Sequence, residues 1–272
     1  MTMPRFPTPS AFLGERRLRV QVAGAGGTGS MLLDGLARLD CALRAQGHPG
    51  MEVTVFDSDT VSASNIGRQR FARPDIGFHK VVVLLHRLNG FYGLDWIAEP
   101  TRMEPSDVRA DLFITCVDSG AFRHAVGVHF KNRPTNTLWL DTGNGADFAN
   151  IVLGHLGVTQ GMRLPNVFDL YGAQLLAGDE DDLPSCSLAE ALARQRWSIN
   201  PMVANAALKL LDDLVHRGGL NEHGSLLRLD PFTLSSLPID ETAWAMMGYG
   251  APSPTAGRPA RKRNRRPGRR AA

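Results

Sequence analysis

Short apolar runs and helical stretches alternate along the first 156 residues of the chain. Apolar runs of about four to eight residues predict strands, whereas apolar residues repeated at helical spacing predict helices. The leucines from Leu32 to Leu43 form such a helical stripe, and Gly47 ends it. The alternation predicts an α/β fold, a doubly wound and mainly parallel Rossmann-like sheet. The predicted elements are strand 18–23, a helix through Leu43, strand 51–56, helix 77–89, strand 111–118, helix 121–130, strand 137–141 and strand 149–156.

The second half of the chain is less regular. Asn200 is predicted to cap a helix that opens with Pro201. Residues 225–239 hold two short apolar runs around Asp230 and Pro231, which predicts a strand pair. We therefore expect the sheet to continue into a mixed or antiparallel C-terminal extension.

The composition is that of an ordinary globular protein. Of the 272 residues, 43% are hydrophobic and 21% are charged. No apolar run reaches the roughly 20 residues of a membrane-spanning helix, and the N-terminus carries proline and charge where a signal peptide has an apolar core. We expect a cytoplasmic protein that does not contact the membrane. The three cysteines form no C-x-x-C pair, which argues against a structural zinc site, and their odd number argues against a disulfide framework.

Residues 251–272 are set apart by their charge. They hold eight of the 30 basic residues and no acid, so the remaining 22 basic residues face 27 acids, a net charge of −5. Such a proline-rich basic segment cannot bury enough apolar surface to offset its ordering entropy, and we expect it to be disordered. Two interpretations stay open: a solubilising terminus, or a nonspecific anchor on nucleic acid held by phosphate contacts.

A glycine-rich turn follows the first predicted strand. GAGGTG, residues 24–29, places Gly24, Gly26 and Gly29 in the G-x-G-x-x-G spacing, with Gly27 among them. The first glycine permits a tight turn, the second lets the backbone approach a phosphate, and the third allows close packing of helix on strand. The turn predicts a nucleotide site, and Asp57 at the end of the second strand suits a ribose hydroxyl. Neither feature separates NAD from a mononucleotide such as ATP.

Three polar residues after Asp57 favour a triphosphate. A helical turn over residues 64–69 would direct Asn65, Arg68 and Gln69 to one side. A dinucleotide enzyme, whose pyrophosphate lies at the glycine turn, has little need of further cations near the second strand. An arginine beside two amides therefore indicates a more highly charged ligand.

Lys80, at the start of a predicted helix, and Asp118, at the end of a strand, complete the candidate site. Arg68 and Lys80 would hold the β- and γ-phosphates. Asp118 would hold Mg²⁺, which takes carboxylates together with substrate phosphates. Each residue also has a plainer interpretation: Arg68 as a surface ion pair, Lys80 as a solvated helix start, and Asp118 as the cap of the helix that follows.

In this order the motifs resemble those of the ThiF/MoeB/HesA family, the bacterial relatives of ubiquitin-activating enzymes. The resemblance covers residues 18 to about 156 and resumes after Pro201 and in LLRLDPFTL. Within the family, DTGNGADFANIVLG and PSCS are most similar to the ThiF-type protein of the plasmid-associated PRTRC gene cluster. The motifs that carry the resemblance are GAGGTG (24–29), DSDTVSASNIGRQ (57–69), GFHK (77–80) and TCVDS (115–119).

The resemblance implies carboxylate activation by MgATP. The C-terminal Gly-Gly tail of a ubiquitin-like, β-grasp protein would attack the α-phosphorus, giving an acyl-adenylate and pyrophosphate. A homodimer is implied as well, with Asp57 on the ribose and Asp118 on the metal. The residues implied at the phosphates, beside the glycine turn, are Asn65, Arg68 and Lys80, with Gln69 included among the nucleotide-binding residues.

The same resemblance suggests a division of the chain. Its parts are an N-terminal extension (1–17), an adenylation domain (18–250) with a nucleotide-binding half (18–156) and a partner-binding half (157–250), and the basic tail (251–272).

The sequence departs from the family's usual pattern in three places. It lacks the upstream R-Y-x-R-Q segment that supplies an arginine to the partner subunit's site, and the early candidates are Arg5, Arg16 and Arg17. The zinc-binding C-x-x-C pairs are absent, and the usual Asp-Asn pair is Asp118–Ser119. The source of an arginine for the partner subunit is thus left open.

Cys186 is the remaining candidate for chemistry. Ser187 and Glu190 have the spacing of a capping box, which would place the thiol at a helix N-terminus and lower its pKa. In some relatives a cysteine in this region takes the acyl group from the adenylate. Cys186 is therefore either a nucleophile or an ordinary residue, whereas Cys116, inside an apolar strand, is expected in the core.

Two other functions compete with adenylation. An NAD(P)-dependent oxidoreductase would use the same glycine turn but gives no joint role to Arg68, Lys80 and Asp118. A non-catalytic scaffold would keep the fold and bind nucleotide or a partner, with the basic tail as a tether on nucleic acid.

Overall fold

The computed structural model of the chain describes residues 5–177 and 195–250. Within these ranges no helix is long and apolar enough to cross a membrane. Each predicted strand and helix has a counterpart. Strands 18–23 and 51–56 have the predicted ends, and the other elements have shifted ends. The strands are β1 (Phe6–Pro7), β2 (Leu18–Ala23), β3 (Met51–Phe56), β4 (Ile97–Glu99), β5 (Leu112–Thr115), β6 (Leu138–Asn144), β7 (Phe148–His155), β8 (Gly219–Leu220), β9 (Glu222–Leu229) and β10 (Phe232–Pro238). The helices are α1 (Gly27–Ala45), α2 (Lys80–Tyr92), α3 (Gly120–Phe130), α4 (Val167–Tyr171), α5 (Ile199–His216) and α6 (Glu241–Met246).

Eight of these strands form one sheet in the order β10-β9-β7-β6-β5-β2-β3-β4. The strands from β6 to β4 in this order pair in parallel, and β7, β9 and β10 continue the sheet in antiparallel pairs. β1 and β8 form a separate antiparallel pair. The predicted mainly parallel sheet with an antiparallel C-terminal extension is thereby confirmed.

Helices cover both faces of the sheet. Leu112 and Ile114 of β5 belong to the hydrophobic cluster shared with α1, α2 and α5, whereas Phe113 belongs to the cluster shared with α3 and α4. Because both faces of β5 are covered, its residues are all buried and its sequence shows no alternation of polar and apolar positions. The doubly wound arrangement is confirmed.

The helix predicted over 77–89 begins later, at Lys80, and ends at Tyr92. Residues before it pair instead with the segment after β3: Val61 N–H donates to the Phe78 carbonyl, and Gly77 N–H donates to the Val61 carbonyl, each at 2.9 Å. This pairing keeps residues 77–79 out of the helix, so Lys80 is the first helical residue, as GFHK suggested.

The prediction that Asn200 caps a helix is wrong. Helix α5 begins at Ile199, and Ser198 occupies the cap position. Asn200 is therefore a helical residue, only 2% exposed. Its side-chain amide makes hydrogen bonds with Thr28 and Asn144, which are distant in sequence. The local capping pattern does not reveal such contacts.

Helix α6 is attached to the sheet by a buried histidine. The Trp244 indole N–H donates to His223 Nε2 at 2.8 Å, and His223 Nδ1 lies 2.9 Å from the Leu153 carbonyl oxygen. Burial lowers the pKa of His223 to about 4, so the ring is neutral and can accept the indole N–H while donating to the carbonyl. The contact ties the C-terminal end of the described chain to β7 and β9.

Candidate functional site

A cavity of about 760 Å³ opens at the carboxyl ends of the parallel strands, and we call it the rim cavity. Ala23 ends β2, Phe56 ends β3 and Cys116 follows β5, and all three line it. Ligands of doubly wound sheets bind at this edge. The predicted site residues that line the cavity are Gly24, Gly26, Gly27, Asp57, Asn65, Arg68, Gln69, Lys80 and Asp118.

The three spaced glycines differ in their surroundings. Gly24 has a φ of +100°, and a Cβ there would lie 2.6 Å from the Cys116 carbonyl oxygen. A Cβ on Gly29 would lie 2.1 Å from the Gly24 carbonyl oxygen, so Gly29 allows the close packing of α1 rather than lining the cavity. At Gly26 the nearest atom to such a Cβ is Gln69 Nε2, at 3.9 Å. The backbone at Gly26 is thus the part of the turn that a ligand can approach closely.

Asp57 closes the glycine turn onto β3. Its carboxylate accepts hydrogen bonds from the backbone N–H groups of Ala25, at 2.6 Å, and Asp59, at 2.8 Å. Burial raises the pKa of Asp57, and these hydrogen bonds and the nearby Lys80 oppose that rise. The carboxylate is held at the cavity wall by the backbone of two segments.

Lys80 is buried rather than solvated. It is 7% exposed, and its Nζ lies 2.8 Å from a carboxylate oxygen of Asp59. The plainer interpretation of Lys80 as a solvated helix start is therefore wrong. Asp59 had no predicted role in the site.

The helical turn predicted over residues 64–69 is wrong in part. A 3₁₀ turn covers Ala63–Asn65, and Gly67 then adopts a φ of +90°, which breaks helical continuity. Asn65 Oδ1 accepts from the Ser62 N–H at 2.9 Å, so the oxygen of this side-chain amide stabilises the loop. All three predicted polar residues nevertheless reach the rim cavity.

Arg68 and Gln69 each carry a buried polar atom that makes no hydrogen bond to the part of the chain that the structure describes. Arg68 Nη1 donates to Gln195 Oε1 at 3.2 Å, which places Arg68 against an amide. Among the described residues, Arg68 Nε and Gln69 Oε1 are buried and make no hydrogen bond. Buried polar groups are normally paired, so such atoms beside an open cavity fit a polar ligand.

Asp118 follows β5, lines the rim cavity and is exposed. Ser119 occupies the N-cap position of α3 and accepts from the Phe122 N–H at 3.1 Å, and Asp118 directly precedes it. Within residues 5–177 and 195–250, no group of three or more His, Cys, Asp or Glu side chains could hold a metal by itself.

A cluster of amides at the cavity edge was missed from the sequence. Asn200 Oδ1 lies 3.1 Å from Thr28 Oγ1 and accepts from Asn144 Nδ2 at 3.1 Å. Gln195 also reaches this cluster and donates to the Gly145 carbonyl at 3.2 Å. The cluster packs against Gly27, where a Cβ would lie 2.6 Å from Asn200 Nδ2. It joins the glycine turn to the C-terminal half, and no motif indicates it.

A buried ion pair near Asp118 was also missed from the sequence. Arg123 Nε lies 2.9 Å from Asp141 Oδ1, and the two side chains are 11% and 1% exposed. Arg123 also donates to the Val117 carbonyl, next to Asp118, and Thr115 Oγ1 donates to Asp141. Burial raises the pKa of Asp141, and Arg123 opposes the rise. The pair fixes the peptide that precedes Asp118.

Of the predictions for Cys116 and Cys186, the structure tests the one for Cys116. Cys116 is buried as expected, and burial raises the pKa of its thiol to about 12, so it is an inert core residue. Cys186 and its predicted capping box lie outside the described residues.

Comparisons with known proteins identify the family of the chain and agree with its fold. The ThiF family model matches residues 14–242. A search of curated proteins gives no match. Among solved structures, E. coli MccB with ATP aligns at a TM-score of 0.56 and 15% identity, over 84% of this chain and 65% of that chain.

Two further structures align over the same share of each chain, 84% of this one and 65% of the other. E. coli MccB with AMPCPP and MccA has a TM-score of 0.55 at 16% identity, and PaaA has a TM-score of 0.52 at 13% identity. The chain thus spans about two thirds of the length of these relatives. At such identities the likeness shows a common fold.

Proposed function

The chain belongs to the ThiF family, and we propose that it catalyses the MgATP-dependent adenylation of the C-terminal carboxylate of a ubiquitin-like, β-grasp protein. One observation carries the proposal: the open backbone at Gly26, the Asp57 carboxylate and the basic Arg68 and Lys80 meet in the rim cavity. E. coli MccB, which has been crystallised with ATP, shares the fold.

The reaction joins two anions, so the site must neutralise charge. A carboxylate oxygen of the protein substrate forms a bond to the α-phosphorus of ATP. The bond from that phosphorus to the bridging oxygen breaks, and pyrophosphate leaves with the electron pair. Backbone N–H groups at the start of α1, with Arg68 and Lys80, would stabilise the phosphates through charge and hydrogen bonds.

The remaining predicted residues have supporting roles in the proposal. Asp57 would accept hydrogen bonds from the ribose hydroxyls, and Asn65 and Gln69 would contact phosphate oxygens through their amide N–H groups. Asp118 would hold Mg²⁺, which would supply positive charge to offset that of the phosphates. The unpaired Arg68 Nε and Gln69 Oε1 support a polar ligand beside them.

ATP–pyrophosphate exchange tests the proposal. The purified protein should return labelled pyrophosphate to ATP only when a β-grasp protein encoded nearby is added, since the carboxylate is the nucleophile. We also propose that the chain is of the PRTRC subtype and acts in the cytoplasm. A thermal shift with NADH but none with MgATP would favour the oxidoreductase instead. The proposal includes a homodimer, whose mass light scattering would show.

Replacing Gly26 with alanine is expected to weaken MgATP binding at least about tenfold with little loss of stability. The new methyl group has room in the ligand-free protein, but it occupies the approach to the backbone. Calorimetric titration with MgATP measures the affinity. Gly90→Ala on α2, where nothing lies within 4 Å, is the matched control and should bind normally. Equal affinity in both variants would contradict the phosphate position.

The proposal continues with transfer of the acyl group to Cys186, giving a thioester, AMP and a proton. Replacing Cys186 with alanine should leave ATP–pyrophosphate exchange intact and remove any thioester, because adenylation precedes transfer. Electrophoresis with and without hydroxylamine detects the adduct. The exposed Cys41 provides the control variant, Cys41→Ala. An adduct that persists without Cys186 would rule out this step.

Residues 251–272, which lie outside the described residues, are proposed to bind nucleic acid without sequence preference. Deleting them should reduce DNA affinity at low salt at least about tenfold and flatten its dependence on salt, because eight positive charges are lost. Fluorescence anisotropy with duplex DNA at several salt concentrations measures both. Unchanged binding at low salt would show that the segment is not a nucleic-acid anchor.

A further inference from the structure

The ion pair between Lys80 and Asp59 lies within the rim cavity and is strongly unequal in exposure. The Lys80 side chain is 9% exposed and the Asp59 side chain is 66% exposed, with 2.8 Å between Nζ and the carboxylate oxygen. Both residues line the cavity. A buried ammonium is costly without a counter-ion, whereas an exposed carboxylate can turn into solvent at little cost. The carboxylate is therefore the mobile partner of the pair.

The backbone holds the two residues together independently of their side chains. The Lys80 N–H donates to the Asp59 carbonyl at 3.0 Å, and the Asp59 N–H donates to Asp57 Oδ1 at 2.8 Å. The Val61 N–H to Phe78 carbonyl bond fixes the same two segments against each other. Loss of the Asp59 charge would consequently leave Lys80 in place.

Asp59 competes with any anion for the Lys80 ammonium. A polyphosphate that takes Lys80 must displace the Asp59 carboxylate or share the ammonium with it. When the polyphosphate leaves, the carboxylate restores the counter-ion of the buried Lys80. Asp57, whose carboxylate also interacts with the Lys80 charge, is already held by two backbone N–H groups. Asp59 is thus the acid positioned to exchange with a phosphate.

We propose that Asp59 is a resident counter-ion that replaces pyrophosphate on Lys80 and so speeds the release of this product. The inference rests on the proposed function, since pyrophosphate is the product of adenylation. Asp59 acts through Lys80 and is a positioning residue rather than a catalytic one. The Asp59 carboxylate would weaken the binding of polyphosphates and raise the turnover rate.

Titration with magnesium pyrophosphate tests this without a protein substrate. Asp59→Asn should bind pyrophosphate about tenfold more tightly than the unaltered protein, because a competing negative charge beside Lys80 is removed. Asp59→Glu, which keeps the charge, should restore the original affinity. Asp95→Asn is the matched control, since Asp95 is 65% exposed and pairs with Arg17 outside the cavity.

The coupling to Lys80 and the effect on turnover separate this role from a structural one. In a Lys80→Met background, Asp59→Asn should no longer tighten pyrophosphate binding. In the adenylation reaction, Asp59→Asn should lower KM for MgATP and lower kcat, with stronger inhibition by added pyrophosphate.

The outcomes distinguish the inference from the function on which it rests. If the unaltered protein binds neither MgATP nor magnesium pyrophosphate, the proposed function fails. If it binds them, and Asp59→Asn binds pyrophosphate equally or more weakly, the inference about Asp59 is overturned and the function stands.

Discussion

Replacing Lys80 with methionine is expected to remove most of the rise in thermal unfolding temperature that MgATP gives the protein. At about 100 times its dissociation constant, a ligand adds about 2.7 kcal/mol to the free energy of unfolding. Loss of the buried ammonium, which also leaves Asp59 without its partner, should remove about 3 kcal/mol of binding, roughly a hundredfold in affinity. Differential scanning fluorimetry with and without MgATP makes the comparison.

The control for this experiment is Lys209→Met. Lys209 on α5 forms ion pairs with Asp213 and Glu222, and its side chain is 51% exposed. It lies outside the rim cavity, so the MgATP response should persist. A full response in Lys80→Met would contradict the assignment of Lys80 to the phosphates.

Replacing Arg123 with methionine is expected to destabilise the protein by about 3–5 kcal/mol at pH 8. The change leaves the Asp141 carboxylate, 1% exposed, without its cation. Burial already raises the pKa of Asp141, and loss of Arg123 raises it further. The folded state then holds a proton that the unfolded state releases, so stability falls as pH rises above the ordinary pKa of an aspartate. Denaturant unfolding at pH 5 and pH 8 should show a larger deficit at pH 8.

Two further variants make this result specific. Arg133→Met removes an exposed arginine and should change stability by less than about 0.5 kcal/mol. The double change Arg123→Met with Asp141→Leu removes both charges and should recover much of the loss, because the buried charge is gone. A deficit in Arg123→Met that is below about 1 kcal/mol and independent of pH would show that the pair is dispensable.

The centre of the fold was predictable because its strand β5 is buried on both faces. The run around Leu112 to Thr115 is apolar throughout, which identifies a central parallel strand without any long-range information. Helix α2 begins at Lys80 rather than at Gly77 because residues 77–79 pair with the segment near Val61, a contact between distant residues. Element ends depend on such tertiary contacts, and the apolar pattern does not contain them.

Part of the candidate site was likewise predictable from the sequence, and part of it was not. Gly26, Asp57 and Lys80 follow strand ends or open helices at recognisable spacings, and the structure brings them together. Asn200 was assigned to a helix cap because capping rules are local, whereas its partner Thr28 is 172 residues away. Arg123 was overlooked because a charged residue within a short helix is usually at the surface. Side chains whose partners come from another element carry no signal in a single sequence.

The dependence of the glycine turn on Asn200 bears on how the protein is made. Gly27 packs against the Asn200 amide, and α1 and α5, which carry these residues, pack in one hydrophobic cluster. A nascent chain therefore exposes the turn long before the ribosome has produced its support. We expect nucleotide binding to begin only after α5 has been translated and has packed against α1. An incomplete chain on the ribosome would therefore not compete with the folded protein for nucleotide.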